Sequence, residues 1–322
     1  MQHWKTLPTA VLAACLMAFL SPPLAWSADT PPKPTDAAKP IDAAKPADAA
    51  KPEEQLAAAI TVGQAQWLEA GGERFLGIYT KATTGTPLGG AIILPDLAVH
   101  PDWPDVIAPL RQGLPAYGWN TLSIQLPAPA QGADGLWQLE PYFTAARARI
   151  QAAVGFLTQQ GITNIALIGH GLGAATAVVS VNGTDPAKVS ALAAISLGIP
   201  PRSAPSPYQT GLLENIRVPM LDIYGSSDSD EVTKTAAARL AAAHRAGLDA
   251  STTQHLEPLK HSAMARLPTT EQNGYIAYRQ LELMGADHSF RGAEATLLKR
   301  VAGWLKKNAA GVAVPAAVIN KG

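Results

Sequence analysis

Residues 165–174 read Ile-Ala-Leu-Ile-Gly-His-Gly-Leu-Gly-Ala. A short apolar run gives way at once to glycine at every second position, and then to small residues. The run is a strand, the glycines allow a strained, sharp turn, and the alanines that follow open a helix. The apex of the turn, Gly171, carries no side chain, so another group can approach the backbone there. Few architectures place a strand, a turn and a helix so close together, and those that do are built on a mostly parallel sheet covered by helices.

The rest of the chain extends the pattern. Strands are expected at 64–70, 75–80, 90–94, 121–126, 164–168, 191–197 and 220–224, and helices at 106–116, 142–160, 174–181, 230–246 and 293–307. The first two strands meet at Gly71-Gly72, a hairpin signal. After them strand and helix alternate, and several strands are continuous apolar runs, which predicts an α/β fold whose sheet has both faces covered. Ligands in such sheets bind beyond the carboxyl ends of the strands. One folded domain is expected over 57–308, with a loose tail from 309 to 322.

The N-terminal region reads differently. Lys5, the apolar stretch from Ala10 to Leu20, and Ala25-Trp26-Ser27 predict a secretory signal peptide over 1–27. Leu12-Ala13-Ala14-Cys15 is similar to a lipobox, but Cys15 lies early and Leu16 to Leu20 continue the apolar run, so a periplasmic or secreted protein is preferred over a lipoprotein. Residues 28–56 repeat Asp-Ala-Ala-Lys-Pro; proline at this spacing opposes helix and predicts a semi-extended tether. Cys15 is the sole cysteine, so removal of the signal leaves no disulfide and no thiolate metal site. It also removes Lys5 from a chain of 25 basic and 25 acidic residues, leaving one net negative charge and no basic field for nucleic acid. No transmembrane segment is expected after signal removal.

The strand–turn–helix at 165–174 resembles the nucleophile elbow, G-x-S-x-G, of the α/β-hydrolases, with Gly171 where the serine stands and His170, Leu172 and Gly173 around it. Downstream, Gly225-Ser226-Ser227-Asp228 resembles the loop that carries the acid of such enzymes, and Asp287-His288-Ser289 the loop of the histidine. Asp102-Trp103-Pro104, Gly118-Trp119-Asn120, Gln125-Leu126-Pro127 and Tyr278-Arg279-Gln280 look like the DUF3530 family, exported bacterial hydrolase-like proteins of unknown function. The resemblance implies the fold and a triad-like pair, Asp228 and His288, but no defined reaction. Pro95-Asp96 stands where the superfamily has the His-Gly of its oxyanion hole, and proline has no N–H to donate.

The candidates also have structural readings. Asp228 can act only as a helix cap, His288 as a loop histidine, and His261 competes for the triad place after an expected strand at 252–257. Gly171→Ser is expected to create weak esterase activity on an intact scaffold. Substitute nucleophiles are Ser196, Ser226, Ser227 and Asp96. Gly169, Gly171 and Ala174 also fit a dinucleotide fingerprint, but no carboxylate ends the next strand, and no P-loop or histidine-rich metal motif exists, so no cofactor and no metal are expected. The reading is therefore an exported hydrolase-like protein that binds a small molecule or an envelope protein without hydrolysis. The alternative is an esterase-like hydrolase working through a substitute nucleophile, or a water activated by His288 and Asp228.

Overall fold

Among the described residues nine strands form a single sheet, in the order β1-β2-β4-β3-β5-β6-β7-β9-β8. The computed structural model describes residues 51–132, 134–135, 137–182, 187–198, 212–245, 248–249 and 276–309. The strands are β1 (Gln64–Ala70), β2 (Glu73–Thr80), β3 (Gly89–Leu94), β4 (Trp119–Ile124), β5 (Ile165–His170), β6 (Ala191–Ile195), β7 (Met220–Gly225), β8 (Leu248–Asp249) and β9 (Ile276–Leu283). β2 runs antiparallel to β1 and β4, and every other pairing is parallel. The β1–β2 hairpin turns through Gly71 and Gly72, both with positive φ, as a two-residue connection requires.

Each central strand is buried on both faces, and its alternate residues serve two separate cores. Ile92, Leu94, Leu167 and Leu192 join the core beneath α3 (Leu139–Gln159) and α4 (Leu172–Ser180), which also takes in α6 (Ala236–Arg245). Ala91, Ile93, Ile168 and Leu221 join the core beneath α2 (Ile107–Gly113) and α7 (Glu294–Asn308). This is the three-layer α/β arrangement expected from the apolar runs. The short α5 (Asp230–Thr233) lies between β7 and α6. Among the described residues no helix is long and apolar enough to cross a membrane.

Several elements differ from the sequence reading: β8 was not expected, and the helix expected over 230–246 is divided into α5 and α6. α1 (Pro52–Ala59) begins inside the tract expected to resist helix. The last proline of the repeat sits in the first turn, where its missing N–H costs nothing, and Glu53 and Glu54 favour that end of the helix dipole. β9 was not anticipated, because Arg279, Gln280 and Glu282 interrupt its apolar character. The expected strand at 252–257 and His261 lie outside the described residues, as do the signal, most of the tether and the tail.

A buried charge cluster explains Tyr278 and Gln280 of β9, while Arg279 and Glu282 are exposed. Asp222 on β7 is fully buried and accepts from Arg239 Nε at 2.8 Å and Nη2 at 3.2 Å, from Tyr278 Oη at 2.8 Å, and from Gln280 Nε2 at 2.9 Å. The cluster ties α6 to β7 and β9, the two strands that lead to Asp228 and His288. A buried carboxylate that loses its cation is left uncompensated, at a cost of about 3–5 kcal/mol. Arg239→Met should lower the unfolding free energy by about that amount in urea titration.

Candidate active site

Five loops leave the carboxyl ends of neighbouring parallel strands β3, β5, β6, β7 and β9, and they carry Asp96, Gly171, Ser196, Asp228 and His288 respectively. Strained backbone concentrates here. Ala98, Gly171, Ser196 and Phe290 all have positive φ, between 52° and 60°, a region that residues other than glycine seldom adopt.

His288 lies between two carboxylates. Its Nδ1 is 2.7 Å from Asp228 Oδ1, and its Nε2 is 2.9 Å from Asp96 Oδ2. A carboxylate only accepts, so both ring nitrogens donate and the ring is an imidazolium. Burial opposes that charge, but hydrogen bonds to Asp228 and Asp96 and their negative charges prevail and raise the His288 pKa to about 10. The acids respond in kind. Burial alone would raise Asp96 and Asp228, yet the bonds to His288 and the backbone hold both below the usual carboxylate range.

Behind the imidazolium, Asp228 also accepts from Ser196 Oγ and, at 2.7 Å, from the Ser229 N–H. Its carboxyl is therefore the triad-like acid, while the N-cap of α5 is Ser229, which makes no side-chain cap bond. His170 packs against His288 with ring centroids 4.7 Å apart and donates from Nε2 to the His288 carbonyl at 2.9 Å. Burial lowers the His170 pKa despite the nearby Asp96, so this ring is neutral at pH 7. It holds the histidine loop in place.

The unexpected participant is Asp96, one of four substitute nucleophiles in the sequence reading. A Cβ placed on Gly171 would collide with Oδ1, Cγ and Oδ2 of Asp96. The carboxylate thus fills the volume that a side chain at the apex would take. Asp96 Oδ1 accepts from the Leu172 N–H at 2.6 Å, and the Leu97 N–H bonds the same carboxylate. The N–H after the apex is the donor that stabilises an oxyanion in this fold. Here that donor is occupied by the protein's own carboxylate. Gly173 is needed for closeness, because a Cβ there would meet the carbonyl oxygens of Leu94 and Pro95.

The β3 loop is held firmly enough to fix this position. Ser123 Oγ donates to the Pro101 carbonyl at 2.6 Å, and Arg111, fully buried, donates to Asp102 from Nε at 3.0 Å. Arg291 grips Asp105 at 2.9 Å through two nitrogens. Asp96 also forms one wall of a cavity of about 190 Å³ with Leu97, Val99, Leu126, Pro127 and Tyr142.

The other candidates separate cleanly. Ser196 reaches the site, but as a donor to Asp228. Ser226 Oγ accepts from the Gly285 N–H at 2.8 Å and braces a turn, while Ser227 is exposed. Trp119 is buried in the α2/α7 core, with Trp103 packed beside it, and Trp137 packs against the opposite core. Asp96, His170 and His288 each offer a ligand atom within 4.8 Å of the others, the one group among the described residues with metal-ligand chemistry.

The sequence model of a family described as "Protein of unknown function (DUF3530)" matches residues 9–146 and 138–258. No curated protein matches. Similar solved structures include Est1E from Butyrivibrio proteoclasticus, 13% identical with a TM-score of 0.54 over 76% of this chain and 98% of that one. An alpha-beta serine hydrolase homologue from Coxiella burnetii is 12% identical with a TM-score of 0.52 over 76% and 98%. A dienelactone hydrolase from Anabaena variabilis is 16% identical with a TM-score of 0.50 over 76% and 97%. These likenesses establish the α/β-hydrolase fold.

Two outcomes follow from the geometry. Gly171→Ser alone must displace Asp96 from charged hydrogen bonds, so it should give no esterase activity and lower stability by about 1.5–3 kcal/mol in urea titration. Gly171→Ser together with Asp96→Gly removes that conflict and is the combination that should hydrolyse p-nitrophenyl butyrate. The second outcome concerns pH. The folded His288 pKa of about 10 exceeds the ordinary 6.5, so its stabilisation is full below pH 6.5 and is lost as pH rises to 10. The Tm difference between the protein and His288→Gln should shrink steadily across that window.

Proposed function

This chain belongs to the DUF3530 family and has the α/β-hydrolase fold, and from that premise we propose that it is an exported cell-envelope protein that binds a small molecule or partner without hydrolysing esters. One observation carries the reading: the Asp96 carboxylate occupies the space above Gly171 and takes the Leu172 N–H. A serine triad needs three things in order, namely a hydroxyl, a neutral histidine and a free oxyanion donor. The apex has no hydroxyl, the histidine is charged, and the donor is taken. The signal-like segment at 1–27 and the tether after it support an envelope or secreted location. Loss of a triad serine typically lowers kcat by about a million-fold.

A second reading rests on the same carboxylate. Asp96 stands where a nucleophile would stand, with His288 beside it and Asp228 behind. In that reading the protein remains a hydrolase whose nucleophile comes from the β3 loop.

Purified protein and His288→Ala should both turn over p-nitrophenyl butyrate and octanoate no faster than buffer. Hydrolysis that disappears in a folded His288→Ala variant would sink the first reading and leave the second. Genetic fusion of residues 1–60 to a periplasmic reporter should export it; retention in the cytoplasm would remove the envelope assignment.

A further inference from the structure

The pair of Asp96 and His288 has a third neighbour, His170, whose chemistry neither functional reading uses. One oxygen of Asp96 and one ring nitrogen each of His170 and His288 lie within 4.8 Å of one another. They stand at or beyond the ends of β5, β3 and β9, too far apart in the chain for any short motif to show the grouping. A carboxylate with two imidazoles suits zinc and its first-row neighbours, whereas magnesium and calcium take oxygen ligands.

Each of the three is already oriented as a ligand. An imidazole that binds a metal through one nitrogen donates from the other to a carboxylate or a backbone carbonyl. His288 does the first: Nδ1 donates to Asp228 at 2.7 Å, and Nε2 faces Asp96 at 2.9 Å. His170 does the second: Nε2 donates to the His288 carbonyl at 2.9 Å, and because the ring is neutral its Nδ1 keeps a lone pair. Asp96 Oδ1 is held by the Leu172 N–H at 2.6 Å, which leaves Oδ2 for a cation. Ligand atoms around a tetrahedral zinc stand about 3.3 Å apart. Asp96 and His288 already meet at 2.9 Å, so closing the set calls for a shift of about 1.5 Å at His170.

Charge and access agree with this. Asp96, Asp228 and the protonated His288 sum to one negative charge. A divalent cation in place of the proton between Oδ2 and Nε2 brings the sum to zero, and that proton leaves to solvent. The His288 side chain is 40% exposed and that of Asp96 23%, so an ion can enter between them, while the buried His170 supplies the inner ligand. Three protein ligands leave the fourth corner of a tetrahedron to water or a small anion.

We infer that Asp96, His170 and His288 form a site for one divalent transition-metal cation of the zinc class. The inference goes beyond both functional readings, since it needs neither hydrolysis nor a partner protein. In the loaded state Asp96 Oδ2, His288 Nε2 and His170 Nδ1 hold the ion. Asp228 and the His288 carbonyl set the two rings without touching it.

The experiment titrates Zn²⁺ into the untagged full chain by isothermal calorimetry, with Mg²⁺ as the control, and follows the ¹⁵N-labelled histidine rings by NMR. One zinc per chain should bind, and Mg²⁺ should not. Asp96→Asn keeps an acceptor for the Leu172 N–H but loses the charge, and it should bind no zinc at concentrations that saturate the native chain. His170→Gln should lose binding likewise, and Asp228→Asn should weaken it about 10–100-fold. Circular dichroism checks that each variant is folded. If a variant does not fold, the ring spectrum of the native chain decides. Two shifted rings, one bound through Nδ1 and one through Nε2, support the site, and any other pattern overturns it. No binding by the native chain, equal affinity for Mg²⁺, or zinc binding that survives in folded Asp96→Asn and His170→Gln, as capture by His100 or His244 would give, also overturns it.

Discussion

A protonated imidazole shared by two carboxylates is the interaction around which this molecule is arranged. Asp96, His288 and Asp228 come from loops after β3, β9 and β7, and no pair of them lies on one element. Bringing them together requires the parallel order of the sheet, which sets these strand ends side by side. It also requires backbone strain at Ala98, Ser196 and Phe290, which is held because the surrounding hydrogen bonds over-determine each loop. Arg111, Ser123 and Arg291 fix the β3 loop, and His170 fixes the histidine loop. Lower in the sheet, the Asp222–Arg239 cluster locks the two strands that deliver the other members.

The electrostatics of the site follow from that sharing. Two carboxylates and one imidazolium leave one negative charge, with His170 neutral beside them. The N–H groups of Leu172 and Leu97 face part of that charge. A serine hydrolase leaves such donors open for charge that appears during the reaction. In this protein they are satisfied at rest, and the energy that would have favoured a transition state goes to the ground state.

The architecture and much of the site were legible because they depend on local pattern. Continuous apolar runs marked the central strands, and glycines on alternate positions marked the turn at 165–174. Asp228 and His288 were visible because each follows a strand signal in the order the fold uses. Asp96 was named, but only among four alternatives, since a separation of 75 residues from Gly171 says nothing about distance. The missing datum was geometric: a glycine leaves a volume, and the sequence does not say what fills it. Ser226 stood among the same alternatives for a related reason: its hydroxyl accepts from the Gly285 N–H, and the turn's direction is invisible in the residue string. β9 escaped notice because Gln280 and Tyr278 satisfy a buried partner, Asp222, more than 50 positions away in the chain, and Arg279 and Glu282 face outward.

The mutual exclusion of a side chain at Gly171 and the carboxylate of Asp96 makes the two positions one unit. With serine at the apex the carboxylate has no room, so neither position can be altered toward a larger side chain without disturbing the other. The acid also holds His288 and the Leu172 N–H, so a change at the apex reaches the histidine loop and the start of α4 together. A position without a side chain thereby governs three loops at the carboxyl end of the sheet.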